Sequence, residues 1–261
     1  MRSFRRQHNT SRYPLGSPRI AHSLPGTGTR FIGAALTRPP DEPPTPLPPV
    51  RRFSRGERPR RTVRAPVPAG TYVATHVYNV TGIRRAIEAG VKSIEHGHLA
   101  DEATIALMAE KDIWLSMQPF ALGDHHYPDP GRAEKDREIC TGTDDVYSWA
   151  RKHGVKTAWG TDLLLEPQLA PRQSEMAARL GDHYSNAEAL RMLTSGNAEL
   201  FRLAGERDPY RQAPLGVIAK DAWADVLLVD GNPLEDLSLL ADPAKHLSVI
   251  VKNGQVVKNI L

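Results

Sequence analysis

From residue 69 onward, short β-rich runs alternate with helical segments, and this alternation limits the possible folds more than any other feature of the chain. Residues 71–77 form a β-rich run, and an amphipathic helix over 81–89 follows and stops at Gly90. A second strand is expected at 91–95. A second helix follows at 101–111, with Asp101 placed to cap its free amides. Strand 113–117 leads into a loop rich in Gly, Pro, Asp and His (119–131), a helix over 136–153 ended by Gly154, and a fourth strand at 155–159. Helical patterns recur at 172–180 and 186–203. Strands separated by helices, rather than by tight turns, imply crossover connections and a parallel sheet.

The end of the chain changes character. Residues 215–218, 224–233 and 249–257 read as short β segments, and Asn253-Gly254 between two β runs is a hairpin signal. No run of 18 or more apolar residues exists, so a membrane-spanning helix is excluded. The lone cysteine, Cys140, rules out an internal disulfide and a cysteine-built zinc site, and fits a cytoplasmic, reducing setting as a core or surface thiol.

Composition matters at the other end. Residues 1–68 hold 14 Arg, no Lys and three acids, a net +11, whereas the remaining 193 residues hold 20 basic and 27 acidic side chains, a net −7. Thirteen of the 22 prolines fall in the same first stretch, including Pro39-Pro40, Pro43-Pro44 and Pro48-Pro49. Proline lacks the amide donor and fixes φ, and low hydrophobicity with high charge cannot offset the entropy of ordering, so disorder is the expectation for 1–68. Three readings of it stand open: a transit peptide, a nucleic-acid arm using Arg51-Arg52 and Arg58 to Arg64, or a GC-rich coding sequence read out of frame. The expected organisation is therefore a disordered segment at 1–68, a βα region at 69–205 and a β appendage at 206–261.

Polar residues gather at one kind of place. His76 lies near the end of the first strand, His96 just past the second, and Asp162 at the end of the fourth. In parallel βα architecture the carboxyl ends of the strands are where loops converge on a ligand. Two imidazoles and a carboxylate meeting there can hold Zn²⁺ or a similar ion. Singly, a strand-end histidine is more often a hydrogen-bonded structural residue, and an aspartate after Gly-Thr is often a helix cap. Their equivalent placement on three strands favours the site.

The runs Val73-Ala74-Thr75-His76, Ala86-Ile87-Glu88-Ala89-Gly90-Val91-Lys92-Ser93-Ile94-Glu95-His96-Gly97 and Trp159-Gly160-Thr161-Asp162 resemble the metal-dependent amidohydrolases, in particular the imidazolonepropionase-like and prolidase-like branch. Ala224-Asp225-Val226-Leu227-Leu228-Val229-Asp230-Gly231-Asn232-Pro233-Leu234 and Val251-Lys252-Asn253-Gly254 resemble that family's C-terminal β-sandwich. The resemblance implies part of a (β/α)₈ TIM-type barrel, strands five to eight, followed by a β-sandwich remnant. It implies His76 and His96 as metal ligands and Asp162 as the carboxylate that binds metal and takes the proton from the attacking water. The reaction implied is hydrolysis of C–N bonds in cyclic amides or dipeptide-like small molecules, with a divalent metal, zinc above others, as cofactor.

His98, in His96-Gly97-His98, looks like the family's first-strand H-x-H but follows the sixth-strand signature; it is a candidate for touching substrate. His125 and His126, in the loop after the third strand of this chain, are candidates for a lid or substrate role, and Arg172 and Glu175 for lining the mouth. A solvated surface is the simpler expectation for these four. The pattern also departs from the family. The chain has no H-x-H before His96 and no lysine before Lys92, so the first-strand pair and the bridging lysine are absent and the metal site is expected to be incomplete. Half a barrel leaves sheet edges open, which favours homo-oligomers. Weak or no activity is expected of the chain as it stands. Nucleic acid is not an expected partner of the βα region. The alternative class is a non-catalytic amidohydrolase-like protein, or a binding protein using its basic arm.

Overall fold

The computed structural model describes residues 30–32, 70–163 and 167–261. Four parallel strands form the centre: β2 (Ala74–Asn79), β3 (Ser93–Leu99), β4 (Trp114–Met117) and β5 (Thr157–Trp159), in that spatial order. Helices α1 (Val80–Glu88), α2 (Glu102–Glu110) and α3 (Pro130–His153) make the crossovers. The fold is α/β with a partial barrel-like core, as the alternation implied. Of residues 1–68, only β1 (Arg30–Ile32) is among the described residues, and the expectation of disorder for the others lies outside them. These three residues run antiparallel to β2, with Arg30 opposite His76 and Ile32 opposite Ala74. An open parallel edge offers a row of free amides and carbonyls, which a short extended segment satisfies whatever its composition.

Side-chain alternation divides the sheet. Val77, Ile94, Leu115 and Met117 point to the helices and are buried against Ile83, Ile105, Met108, Val146 and Tyr147. The other face carries Ser93, Glu95 and Ser116 beside Trp114 and Ala158. Trp114 and Ala158 are covered by Leu200 of α6 (Asn197–Arg202). Local chemistry fixes the ends of the helices. The Asn79 side chain accepts from the Gly82 amide at 2.9 Å and the Asp101 side chain from the Thr104 amide at 2.8 Å. At the far end of α3, Gly154 adopts φ 68°, the left-handed turn that stops a helix.

Three expectations need correction. Helix α3 starts at Pro130, six residues earlier than the pattern suggested. Asp129 caps it by accepting from Arg132, and Pro130 sits in the first turn, where no amide donor is needed. Strand β3 runs on to Leu99 instead of stopping at Glu95, because His96 and Gly97 take φ values of 80° and 71° and return the chain to the strand. Residues 215–218 are not a strand. Gly216 turns there at φ 73°, so close to Thr194 that a Cβ would lie 2.6 Å from its carbonyl carbon.

Helices α4 (Gln173–Ala178) and α5 (Asn186–Arg191) follow β5, and α5 reaches α6 through a π-helical turn at Met192–Gly196. The Asn197 side chain accepts from the Trp159 amide and donates to the Trp159 carbonyl, both at 2.9 Å, so one amide group stands in for a neighbouring strand on β5. A separate antiparallel sheet contains β6 (Val226–Val229), β7 (Leu247–Lys252) and β8 (Gln255–Asn259), with the short helix α7 (Pro243–His246) leading into β7. Its hairpin turns at Asn253-Gly254, both with positive φ, as expected of this dipeptide. Leu227, Leu228, Val256 and Val257 of this sheet are exposed. No helix among the described residues is long and apolar enough to cross a membrane.

Candidate metal centre

His76 in the middle of β2, His96 in the middle of β3 and Asp162 beyond the end of β5 come together. The expectation that both histidines close their strands is corrected, because β2 runs on to Asn79 and β3 to Leu99. His76 Nδ1 lies 2.6 Å from His96 Nε2, and Asp162 Oδ2 lies 3.7 Å from that same His96 nitrogen. His76 and Glu95 are register partners on β2 and β3, and Val77 faces His96. Regular alternation would therefore turn the His96 ring away from His76. The left-handed backbone at His96 reverses that and puts both rings on one side. A positive φ on a residue with a Cβ is uncommon and costs energy, and such residues concentrate at functional sites. Asp162 carries the same conformation, φ 51°.

Gln118, directly after β4, determines which His96 nitrogen is free. His96 Nδ1 donates to Gln118 Oε1 at 2.8 Å, so in the neutral ring Nε2 carries the lone pair aimed at His76. Burial holds the His96 imidazole neutral, taking its pKa from 6.5 down to about 4; neighbouring His76 adds to this and the Gln118 hydrogen bond opposes it. Because His96 Nε2 accepts, His76 Nδ1 supplies the hydrogen in the 2.6 Å contact. Tyr78 stacks on His96 with ring centroids 4.4 Å apart and planes within 9°. Burial and the Asp162 charge push its phenol far above its ordinary value.

His98 follows in the same strand with 1% exposure. Its Nε2 donates to the Gln118 carbonyl at 2.9 Å and its ring stacks on Phe120 at 5.3 Å. Burial takes its pKa to about 3. Helix α3 touches the strand here: a Cβ on Gly142 would lie 2.1 Å from the His98 carbonyl oxygen, so only glycine lets the helix approach. Burial also raises the carboxyl of Glu95, held down in part by the Ser116 and Ser93 hydroxyls, with Ser93 Oγ donating at 2.7 Å. Asp162, with a side chain 38% exposed, is raised by burial as well, while His76 and His125 pull it back.

The donor set suits a divalent cation in kind. Two imidazole nitrogens and a carboxylate converge, His76 Nδ1 carrying the hydrogen of the contact, and the Gln118 side-chain oxygen fixes the His96 tautomer. The set falls short in spacing, because two nitrogens on one tetrahedral zinc stand about 3.3 Å apart for bonds near 2.05 Å, against 2.6 Å here. Among the described residues no group of three His, Cys, Asp or Glu surrounds a point where an ion could sit. His76 and His96 would have to separate, and the proton between them leave, before an ion could enter.

Of the other sequence candidates, His125 is drawn in, its Nδ1 3.1 Å from Asp136 Oδ1. Arg172 instead holds Asp124 and Glu175. Gln118 and Tyr78 escaped sequence reasoning. Tyr78 had a signal, since it lies two residues beyond His76 in a strand and shares its face.

The model of the amidohydrolase family matches residues 68–257. The chain belongs to the amidohydrolase family. Ochratoxinase from Aspergillus niger is 32% identical over 199 residues, covering 71% of this chain and 38% of that protein. A prolidase crystallised with N-methylphosphonate-L-proline matches at 32% identity and TM-score 0.63, covering 74% of this chain and 46% of the other. A Xaa-Pro dipeptidase with bound methionine matches at 26% identity and TM-score 0.57, covering 73% and 45%. The chain thus spans less than half the length of these relatives.

Proposed function

We propose that this amidohydrolase-family chain carries the catalytic end of a metal-dependent hydrolase for C–N bonds other than ordinary peptide bonds, in dipeptide-like or cyclic amide small molecules. The observation that carries the proposal is the convergence of His76 Nδ1, His96 Nε2 and Asp162 on one side of the parallel sheet, with Gln118 fixing the His96 tautomer. The prolidase, Xaa-Pro dipeptidase and ochratoxinase relatives support the substrate class and the prolidase-like branch.

His76, His96 and Asp162 would hold the ion. Bound there, a divalent cation supplies Lewis-acid polarisation of the scissile carbonyl and acidifies water. The remaining chemistry belongs to the chain. Burial lifts the Asp162 carboxyl above the ordinary range, which makes it a better acceptor for the proton of an attacking water. Tyr78, stacked on His96, walls one side of the site and offers a phenol that stays protonated. His98, behind it, is proposed to shape the substrate end through Phe120.

The test uses the full chain reconstituted with zinc and a panel of Xaa-Pro dipeptides and N-acyl amino acids. Weak turnover abolished in Asp162→Asn and His76→Ala is expected; no turnover of any substrate by correctly folded chain rejects catalysis. One observation favours a second, non-catalytic reading: no three donors among the described residues surround an ion position.

A further inference from the structure

Helix α3 presents a row of polar side chains to a cavity that the metal centre does not use. Asp144, Ser148 and Arg151 stand at i, i+4 and i+7, so they share one face of the helix. Arg179, Asp182 and His183 face them from the segment after α4, and Pro119, Phe120 and Ala121 close the third side. The cavity holds about 850 Å³. Two of its walls are firmly packed. The Phe120 side is buried, and the His183 ring rests on the buried Tyr147 at 4.6 Å between centroids. Phe120 also stacks on His98, so its ring stands between this cavity and the histidines of the metal centre.

Some of the charges here are matched and some are not. Arg179 gives both Nη atoms to Asp124, at 2.5 and 2.8 Å, and Lys152, which also lines the cavity, reaches Glu102 at 2.6 Å. Arg151 instead spends one Nη on the His183 carbonyl at 3.0 Å, a partner without charge. Asp144 Oδ1 lies 3.7 Å from His183 Nδ1, beyond hydrogen-bond reach, and its side chain is 86% exposed. A carboxylate and a guanidinium thus stand at opposite ends of one wall, each with hydrogen-bonding capacity to spare. Their spacing selects a ligand. Seven residues of helix rise ~10.5 Å, and helix side chains tilt the same way, so the charged ends keep roughly that separation. A charge-assisted hydrogen bond of ~2.8 Å at each end leaves ~5 Å between the ligand's own charges. One extended residue spans ~3.5 Å and two span up to ~7 Å, so a single amino acid is too short and a slightly bent dipeptide fits.

We propose that this cavity is a second binding site, separate from the metal centre, for a zwitterionic dipeptide. Its ammonium sits on Asp144, its carboxylate on Arg151, and the Ser148 hydroxyl between them bonds the peptide group. Binding here needs neither a metal nor hydrolysis, so the proposal stands or falls apart from the hydrolase reading.

Isothermal titration calorimetry of the full chain, with EDTA present to prevent turnover, tests it. The probe is glycylglycine, compared with three compounds that each remove one feature: glycine the length, N-acetylglycine the ammonium and glycylglycinamide the carboxylate. Glycylglycine should bind, and each of the others should bind about tenfold or more weakly, the share of one charge-assisted hydrogen bond. Asp144→Ala, at an exposed position that the fold does not need, and Arg151→Ala should weaken glycylglycine by the same factor. Asp144→Ala should leave the weak binding of N-acetylglycine unchanged, because that compound has no ammonium to lose. No binding of glycylglycine, or equal binding of all four compounds, overturns the proposal. Binding that survives both substitutions but disappears in His76→Ala would put the dipeptide at the metal centre and overturn it as well.

Discussion

Replacing Gln118 by leucine removes the acceptor of the His96 hydrogen, together with the amide NH2, at nearly constant volume. The side chain is 4% exposed, and its Oε1 receives the His96 Nδ1 hydrogen at 2.8 Å. Leucine fills similar volume but leaves that buried N–H without a partner, a penalty of ~1–3 kcal/mol. The neutral ring can escape it by moving its hydrogen to Nε2, which destroys the lone pair aimed at His76. Either way metal affinity falls. Loss of such an orienting partner typically weakens a site by about 10–100-fold, or about 1.4–2.7 kcal/mol. The assay is competition for Zn²⁺ against a chromophoric chelator, with urea unfolding of the metal-free chain alongside. Gln118→Glu keeps an acceptor at the same reach and should recover most of the affinity. If Gln118→Leu binds zinc as tightly as wild type, Gln118 does not set the His96 tautomer and the reasoning fails.

Other consequences follow from burial and contact. His96 and His98 have folded pKa values of about 4 and about 3, against 6.5 ordinarily. The unfolded chain therefore takes up protons first. Their neutral forms contribute stability that is complete above pH 6.5 and lost as pH falls through these values, on the order of 3 kcal/mol for His96 alone. Urea midpoints of the metal-free chain should drop steadily between pH 6.5 and 4, and a flat profile contradicts their burial as neutral rings. Gly142→Ala should destabilise by ~1–3 kcal/mol, read by urea unfolding, because its Cβ falls 2.1 Å from the His98 carbonyl oxygen; a neutral effect would show that α3 sits further out. Asn197→Ala strips both partners from Trp159 and should cost ~1–3 kcal/mol; unchanged unfolding would mean that water serves the β5 edge equally well.

Much of the architecture could be read from local chemistry. Asp101 and Gly154 bound their helices as their side chains, or lack of one, dictate, and Asn253-Gly254 makes the hairpin that its tolerance of positive φ favours. The sequence pointed to His76, His96 and Asp162 as polar residues on successive strands, but it placed His76 and His96 at strand ends whereas both lie inside β2 and β3. What stayed hidden depends on contacts remote in sequence. The left-handed turn at His96 lets β3 continue and aims the ring, and nothing in Glu95-His96-Gly97 announces it except the glycine. Gln118 matters only because β4 lies beside β3. Residues 215–218 have the composition of a strand, but Gly216 is pressed against Thr194 and finds no pairing partner. Asp129 and Pro130 carry a capping signal that the polar loop before them masks.

The most direct measurement is the zinc content and affinity of the purified full chain, compared with His76→Ala, His96→Ala and Asp162→Asn. Binding at this place requires that zinc be retained by the wild-type chain and that each substitution weaken it, His96→Ala most of all because His96 Nε2 lies next to both other donors. No retained zinc, or zinc held equally well without His96, would contradict a metal centre at this place.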